Sequence, residues 1–224
     1  LLLRPFFPKT KFIVREAIVP SFILKSKHRL KLPIKMAYRY LYRLSDKIIS
    51  PSKSIFDELK DLHIPTSKFR LLHNPVHIER IEKLKDEVKA ELGVGSDEIL
   101  YVAAGRLHYQ KGFDRLLEHI ITLKGKWKLA ILGEGEQRQE LEQLIHKLGL
   151  NHKVILTGHK PFPWSYFRAA DYFLLPSRWE GLPNVVLESL ACGTPVIASK
   201  DAGGIAEIAE LCNEGSVRLA DGMD

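Results

Sequence analysis

Two glutamates, Glu180 and Glu188, stand in the stretch P-S-R-W-E-G-L-P-N-V-V-L-E with seven residues between them. An apolar run at 171–175 reads as a buried strand ending just before this stretch. Pro183 marks a helix start, because its missing N–H costs nothing in the first turn. The helix is expected over 185–190, Gly193-Thr194-Pro195 ends it, and 196–199 is the next strand. A helix N-terminus presents backbone N–H groups and a positive dipole end, which suit a phosphate. Carboxylates on either side repel phosphate but accept strongly from hydroxyls. A ligand with hydroxyls on both sides of a diphosphate is a nucleotide sugar.

The elements around this stretch alternate regularly. Strands are expected at 99–104, 127–132 and 153–157, with helices at 113–123, 136–148 and 165–169. That alternation implies a parallel sheet with crossover helices, and such sheets bind ligands along the C-terminal edge of their strands. The residues at those strand ends are Gly105-Arg106, Gly133-Glu134-Gly135 and Gly158-His159, with Lys111 in the same loop as Arg106. Gly133-Glu134-Gly135 is half of a dinucleotide fingerprint, but Arg138 occupies the third glycine's place. The glycines then serve a close backbone approach to a nucleotide, or a tight turn. Earlier in the chain, 11–15, 47–50 and 69–72 read as strands, and Ser52 or Ser54 caps a helix at 55–62. Asn74-Pro75 is punctuation between domains, giving 1–75 and 76–224, and a charged helix follows over 79–92.

The continuous stretch E-G-L-P-N-V-V-L-E, A-C-G-T-P-V-I-A and A-G-G-I-A-E-I resembles the retaining glycosyltransferases of family 4. The resemblance extends upstream to about Ser45. It implies a GT-B fold, two Rossmann-like parallel-sheet domains, of which this chain holds part of the N-terminal, acceptor-side domain and most of the C-terminal, donor-binding one. It also implies residue roles. Glu180 matches the glutamate that contacts the donor sugar, and Glu188 the one that holds the ribose hydroxyls. Backbone around Leu182, Pro183, Asn184 and Val185 matches the phosphate cradle. Backbone at His159 matches the place where the base is recognised, and Gly105 and Gly133 fall in donor-binding loops. Arg106 and Lys111 match the pair that neutralises the diphosphate. The sequence has no D-x-D pair for a divalent metal, and two fixed cations would stabilise a leaving diphosphate by several kcal/mol, about what a metal supplies. No cofactor and no metal are expected. The family reaction is a front-face displacement in which the departing phosphate helps take the acceptor's proton, so no protein nucleophile is needed. One departure stands out: relatives place a His after the strand at 11–15, where this chain has Arg15-Glu16-Ala17. Glu16 is the candidate replacement on the sugar side.

Composition narrows the partners. The 224 residues carry a net charge of +7, and residues 1–70 hold 16 Lys and Arg against 5 Asp and Glu, so the whole excess lies there. No nucleic-acid module accompanies it. Residues 22–32 interleave Phe, Ile and Leu with Lys25, Lys27, Arg29 and Lys31; Pro33 breaks the pattern and 34–44 resumes it helically. Two readings stand: a surface helix edged by long basic side chains, or an element that meets anionic lipid headgroups. No apolar run reaches a membrane span and Leu1-Leu2-Leu3 lacks a signal peptide's form. Cys192 and Cys212 have no metal-ligand spacing. A peripheral protein on the cytoplasmic face of a membrane is expected, and the absence of an initiator Met suggests an internal fragment. The expected reaction moves a sugar from a nucleotide diphosphate sugar to a lipid-linked or surface-polysaccharide acceptor. The alternatives are a nucleotide-sugar epimerase, a synthase with a soluble acceptor, or a non-catalytic nucleotide-sugar binding module.

Overall fold

The computed structural model describes residues 6–26, 31–81 and 88–220. Its contacts divide it into two compact units, the chain up to Pro75 together with Glu180–Leu182, and Val76–Trp179 together with the chain from Pro183 onward. In the first unit the described elements run β1 (Ile13–Arg15), α1 (Pro20–Ser26), α2 (Lys31–Arg43), β2 (Lys47–Ser50), α3 (Lys53–Asp61) and β3 (Phe69–Leu71). The three strands form one parallel sheet in the order β1-β2-β3. Parallel strands are covered by crossover helices, so their side chains are apolar where they face one. Ile48 of β2 is fully buried and packs with Ile55 and Leu59 of α3, Leu62, Ile64 and Phe69. Ser52 is the cap of α3: its Oγ accepts from the Ile55 N–H.

One helix boundary differs from the sequence reading. Pro33 does not break a helix but lies in the first turn of α2, which starts at Lys31. The first four N–H groups of a helix have no intrahelical partner, so a proline there forfeits nothing. Residues 27–30, within the interleaved basic stretch, lie outside the described residues. The helix expected over 79–92 is described as α4 (Ile78–Ile81) and α5 (Val88–Glu91), and 82–87 lie outside the described residues.

The second unit continues β4 (Ile99–Ala104), α6 (Phe113–Ile120), β5 (Trp127–Leu132), α7 (Arg138–Lys147), β6 (Val154–Gly158), α8 (Trp164–Ala169), β7 (Tyr172–Leu175), α9 (Asn184–Ala191), β8 (Val196–Ser199), α10 (Ile205–Leu211) and β9 (Val217–Ala220). All pairings are parallel, in the order β6-β5-β4-β7-β8-β9. Counted within this unit the order is 3-2-1-4-5-6, that of the doubly wound dinucleotide-binding folds. The chain grows outward from β4 in one direction, then crosses to β7 and grows in the other. The crevice between the C-terminal ends of β4 and β7 is therefore where neighbouring loops part and a ligand fits. On one side of the sheet Phe113, Leu116, Leu117 and Ile120 of α6 join Leu129, Ile131, Leu141 and Ile145 in a buried core. Elsewhere Phe167 of α8 meets Phe173 of β7 edge to face, with ring centroids 5.1 Å apart.

Candidate donor-binding site

The C-terminal edge of the six-stranded sheet surrounds a cavity of about 360 Å³. Ala104, Gly105 and Arg106 enter it from β4, Leu132, Gly133 and Glu134 from β5, and His159 and Lys160 from β6. Pro163 and Phe167 close it from the α8 side and Val185 from the first turn of α9. A second hollow, of about 370 Å³, is lined by Arg106, His108, Gln110 and Lys111. Arg106 thus belongs to both. Of the residues expected at a donor site, Gly105, Arg106, Gly133, His159 and Val185 meet around one cavity, and Lys111 joins Arg106 at the other.

Backbone geometry shapes both hollows. A Cβ on Gly133 would fall 1.9 Å from the Gly105 carbonyl oxygen, and its φ of 141° lies outside the ordinary range. Only glycine lets the β5 loop approach the β4 loop so closely. The register of β5 with β6 slips between Ile131 and Leu132, and the Gly133 N–H donates to the Gly158 carbonyl at 2.9 Å. Gly133 is thus required by the protein's own backbone, besides lining the cavity. Gly112 has the same function one loop away. It is left-handed at φ 67°, and a Cβ there would lie 2.1 Å from the Pro176 carbonyl oxygen. The Lys111 side chain lies along Gly105, its Cδ and Cε 3.1 Å from where a Cβ would be.

Pro183 proves to be the cap residue before α9, extended at φ −74° and ψ 105°, rather than its first helical residue. It makes no side-chain cap, so the N-terminus facing this edge is not covered by its own cap residue. Val185 and Glu188 are three apart and share one face of α9. Burial pushes the Glu188 carboxyl above the usual carboxylate range; Trp164 partly opposes this. The indole Nε1 of Trp164 is buried and has no hydrogen-bond partner within bonding distance, yet it is near enough to favour the charged carboxylate.

Glu180 is buried, and with Gly181 and Leu182 it groups with the first unit. There Gly181 approaches Ala17 so closely that a Cβ would meet the Ala17 carbonyl oxygen at 2.2 Å. Glu16, in that same unit, is buried as well. Its Oε1 accepts from the Ile18 N–H at 3.2 Å, and its Oε2 accepts from the Tyr42 hydroxyl. Burial and the Glu16 carboxylate push the hydroxyls of Tyr42 and Tyr38 above the usual tyrosine range.

Several residues at this edge escaped the sequence reading. Arg115 is buried in α6 and donates to the Pro176 and Ser177 carbonyls, each at 2.8 Å, and to Ser199 Oγ at 3.0 Å. Arg178 forms a two-pronged pair with Asp114, at 2.8 and 2.7 Å. Burial opposes ionisation of Asp114, but the hydrogen bonds and charge of Arg178 outweigh it and hold the carboxyl below its usual range. The sequence offered little signal, because Arg115 lies on the side of α6 away from Phe113 and Leu117, where a charge ordinarily meets solvent.

The loops at the switch point of this open parallel sheet thus gather Arg106, Lys111 and the start of α9 at the edge where α/β folds of this kind hold ligands. The chain belongs to the glycosyl transferases group 1 family, which it matches over residues 85–217. It is 31% identical over 209 residues to the Campylobacter jejuni N-acetylgalactosamine-N,N'-diacetylbacillosaminyl-diphospho-undecaprenol 4-alpha-N-acetylgalactosaminyltransferase, covering 93% of this chain and 56% of that one. It is 30% identical over 171 residues to the Rhizobium meliloti lipopolysaccharide core biosynthesis glycosyltransferase LpsE, covering 76% of this chain and 48% of that one. The chain thus spans about half the length of these relatives. Among solved structures it resembles Anabaena HepE in complex with UDP-glucose, with a TM-score of 0.77, 23% identity, and coverage of 96% of this chain and 59% of that one. Such identities speak for the fold alone, which is the parallel-sheet α/β fold of the GT-B glycosyltransferases.

Proposed function

We propose that this chain is the donor-binding portion, with part of the acceptor side, of an enzyme that moves a sugar from a nucleotide diphosphate sugar to a lipid-linked or cell-surface polysaccharide acceptor. The observation that carries the reading is the switch-point edge, where Arg106 stands between two adjoining hollows and Lys111 lines one of them. The cavity takes the nucleoside, with the Glu188 carboxylate accepting from the ribose hydroxyls. Arg106 clasps the diphosphate with its fork, Lys111 supplies a point charge, and the start of α9 completes the anion site. Glu180 accepts from the hydroxyls of the sugar. The bond from the anomeric carbon to the diphosphate oxygen breaks while an acceptor hydroxyl oxygen bonds to that carbon on the same face, so configuration is retained. The departing phosphate oxygen takes the acceptor's proton, and its growing charge is met by Arg106 and Lys111 rather than by a divalent metal. The C. jejuni relative's lipid diphosphate acceptor and the UDP-glucose bound to HepE support this division of substrates.

The proposal includes a membrane surface on the acceptor side, and α2 supports it. On α2, Leu32, Met36 and Tyr40 are exposed at four-residue spacing, and exposed Lys35, Arg39 and Arg43 run beside them. Ile34, Tyr38, Leu41 and Tyr42 are the less exposed positions of the same helix. An apolar stripe bordered by a basic one is what an anionic bilayer surface binds. Among the described residues no helix is long and apolar enough to cross a membrane.

Titration of the chain with UDP and GDP by calorimetry, with and without EDTA, tests the donor site. Binding of one of them at an affinity unaffected by EDTA is expected. A strict divalent requirement overturns the role given to the two cations, and failure to bind either nucleotide overturns the donor site.

A further inference from the structure

The loops that leave β4 and β7, on the two sides of the switch point, are fastened to each other rather than merely adjacent. The Arg178 N–H donates to the Gln110 carbonyl at 2.8 Å, and Gln110 Nε2 donates back to the Trp179 carbonyl at 2.9 Å. The Arg178 guanidinium spans Asp114 and the Tyr109 carbonyl, the last at 2.8 Å, and lies 3.9 Å from the centroid of the Tyr109 ring. Arg178 lines neither hollow at this edge, whereas Gln110 and Lys111 line one of them.

We propose that Arg178, held by Asp114, is a positioning residue that fixes the cationic loop of Arg106 and Lys111 in its diphosphate-binding geometry. The inference rests on the donor-site reading above. A planar guanidinium with five donors sets two planes at once, the carboxylate of α6 and the peptide of Tyr109, while its face covers the aromatic ring. The 109–111 turn therefore has its place set by a side chain from the loop after β7. Arg178 supplies no charge to the ligand, because Asp114 neutralises it. Anything that loosens the clasp, from either partner, lets the cations drift from the phosphates without touching the cavity that takes the nucleoside.

This differs sharply from the simpler idea that Arg178 is itself a phosphate ligand. Calorimetry on Arg178→Gln, Asp114→Asn and the double variant separates the two. It uses whichever of UDP and GDP binds the wild type more tightly, and the matching free nucleoside. Each single variant is expected to lose about tenfold in affinity for the nucleoside diphosphate and less than about twofold for the nucleoside. The double variant should be no weaker than the weaker single, because paired residues acting as a unit are not additive. Arg178→Lys keeps the charge but not the fork and is expected to behave as Arg178→Gln. If Asp114→Asn instead leaves diphosphate affinity unchanged or raises it, by freeing the guanidinium, the proposal is overturned. Thermal melts that fall with unchanged affinity, equal losses for nucleoside and diphosphate, or rescue by Lys overturn it as well. A wild-type chain that binds neither nucleotide sinks the donor-site reading instead.

Discussion

At the scale of single residues, the proposed function gives two charges opposite tasks. In that proposal Glu188 faces hydroxyls whose charge is the same before and during reaction, so removing it should chiefly weaken donor binding. A hydrogen bond to a charged group contributes about 1.5 to 3 kcal/mol, so Glu188→Ala in the full-length enzyme should raise donor KM roughly 10- to 100-fold with little change in kcat. Arg106, as proposed, faces oxygens whose charge grows as the glycosidic bond breaks, and Arg106→Ala should lower kcat itself by about 10² to 10³. The reverse pattern would mean that the two roles are misassigned. Burial raises the pKa of Glu188, which makes its charge a cost to folding. The stability tied to this group is present at low pH and lost as pH rises through the raised value. Glu188→Gln should therefore raise the melting temperature at neutral pH while weakening UDP or GDP binding, a trade of stability for function. A lower melting temperature in this variant would show that the charged carboxylate is instead stabilised by its neighbours.

At the scale of elements, the strand-end loops are held by backbone approaches that no side chain can enter. Gly133→Ala would force a Cβ onto the Gly105 carbonyl, displacing the very loop that presents Arg106. Overpacking typically costs about 1 to 3 kcal/mol, and an unfavourable φ adds a comparable amount. Gly149→Ala is the matched control: its φ of 68° is also left-handed, but nothing stands within 4 Å of the new Cβ. Urea titrations should show Gly133→Ala losing clearly more stability than Gly149→Ala, and only the former losing nucleotide affinity. Equal losses would mean that the dihedral alone matters and that the loops have room to part. The same principle explains the K-G pair at 111–112, where the glycine lets the β4 loop seat against Pro176.

At the scale of the whole molecule, charge and exposure concentrate on the first unit. Each basic residue near an anionic surface contributes about 1 kcal/mol, screened by salt. Co-sedimentation with vesicles should be strong for anionic lipid and weak for neutral lipid or high salt. Reversing Lys35, Arg39 and Arg43 to Glu should abolish it without altering nucleotide binding, because these residues lie outside the second unit. Equal binding to neutral and anionic vesicles would leave α2 as an ordinary surface helix whose basic side chains only shield apolar neighbours.

Features that depend on a few neighbouring residues were legible in the amino-acid order. Strands such as Ile99–Ala104, Trp127–Leu132 and Val196–Ser199 are visible as short apolar runs, because a strand covered on both faces needs apolar side chains throughout. The start of α9 and the family motif were legible for the same local reason. Strand order was not, since β4 and β7 are neighbours in space with two strands between them in the chain, and local pattern says nothing about lateral pairing. Arg115 looked like one more surface charge, and only packing shows it buried against the carbonyls of Pro176 and Ser177. Pro33 looked like a break because proline clashes inside a helix; whether it lies inside or in the first turn is decided by where the helix begins. Glu180 was read with its sequence neighbours, yet its contacts group it with the first unit. Tertiary structure decided these cases because each depends on groups far along the chain, whose approach is set by the packing of whole elements rather than by the residues on either side.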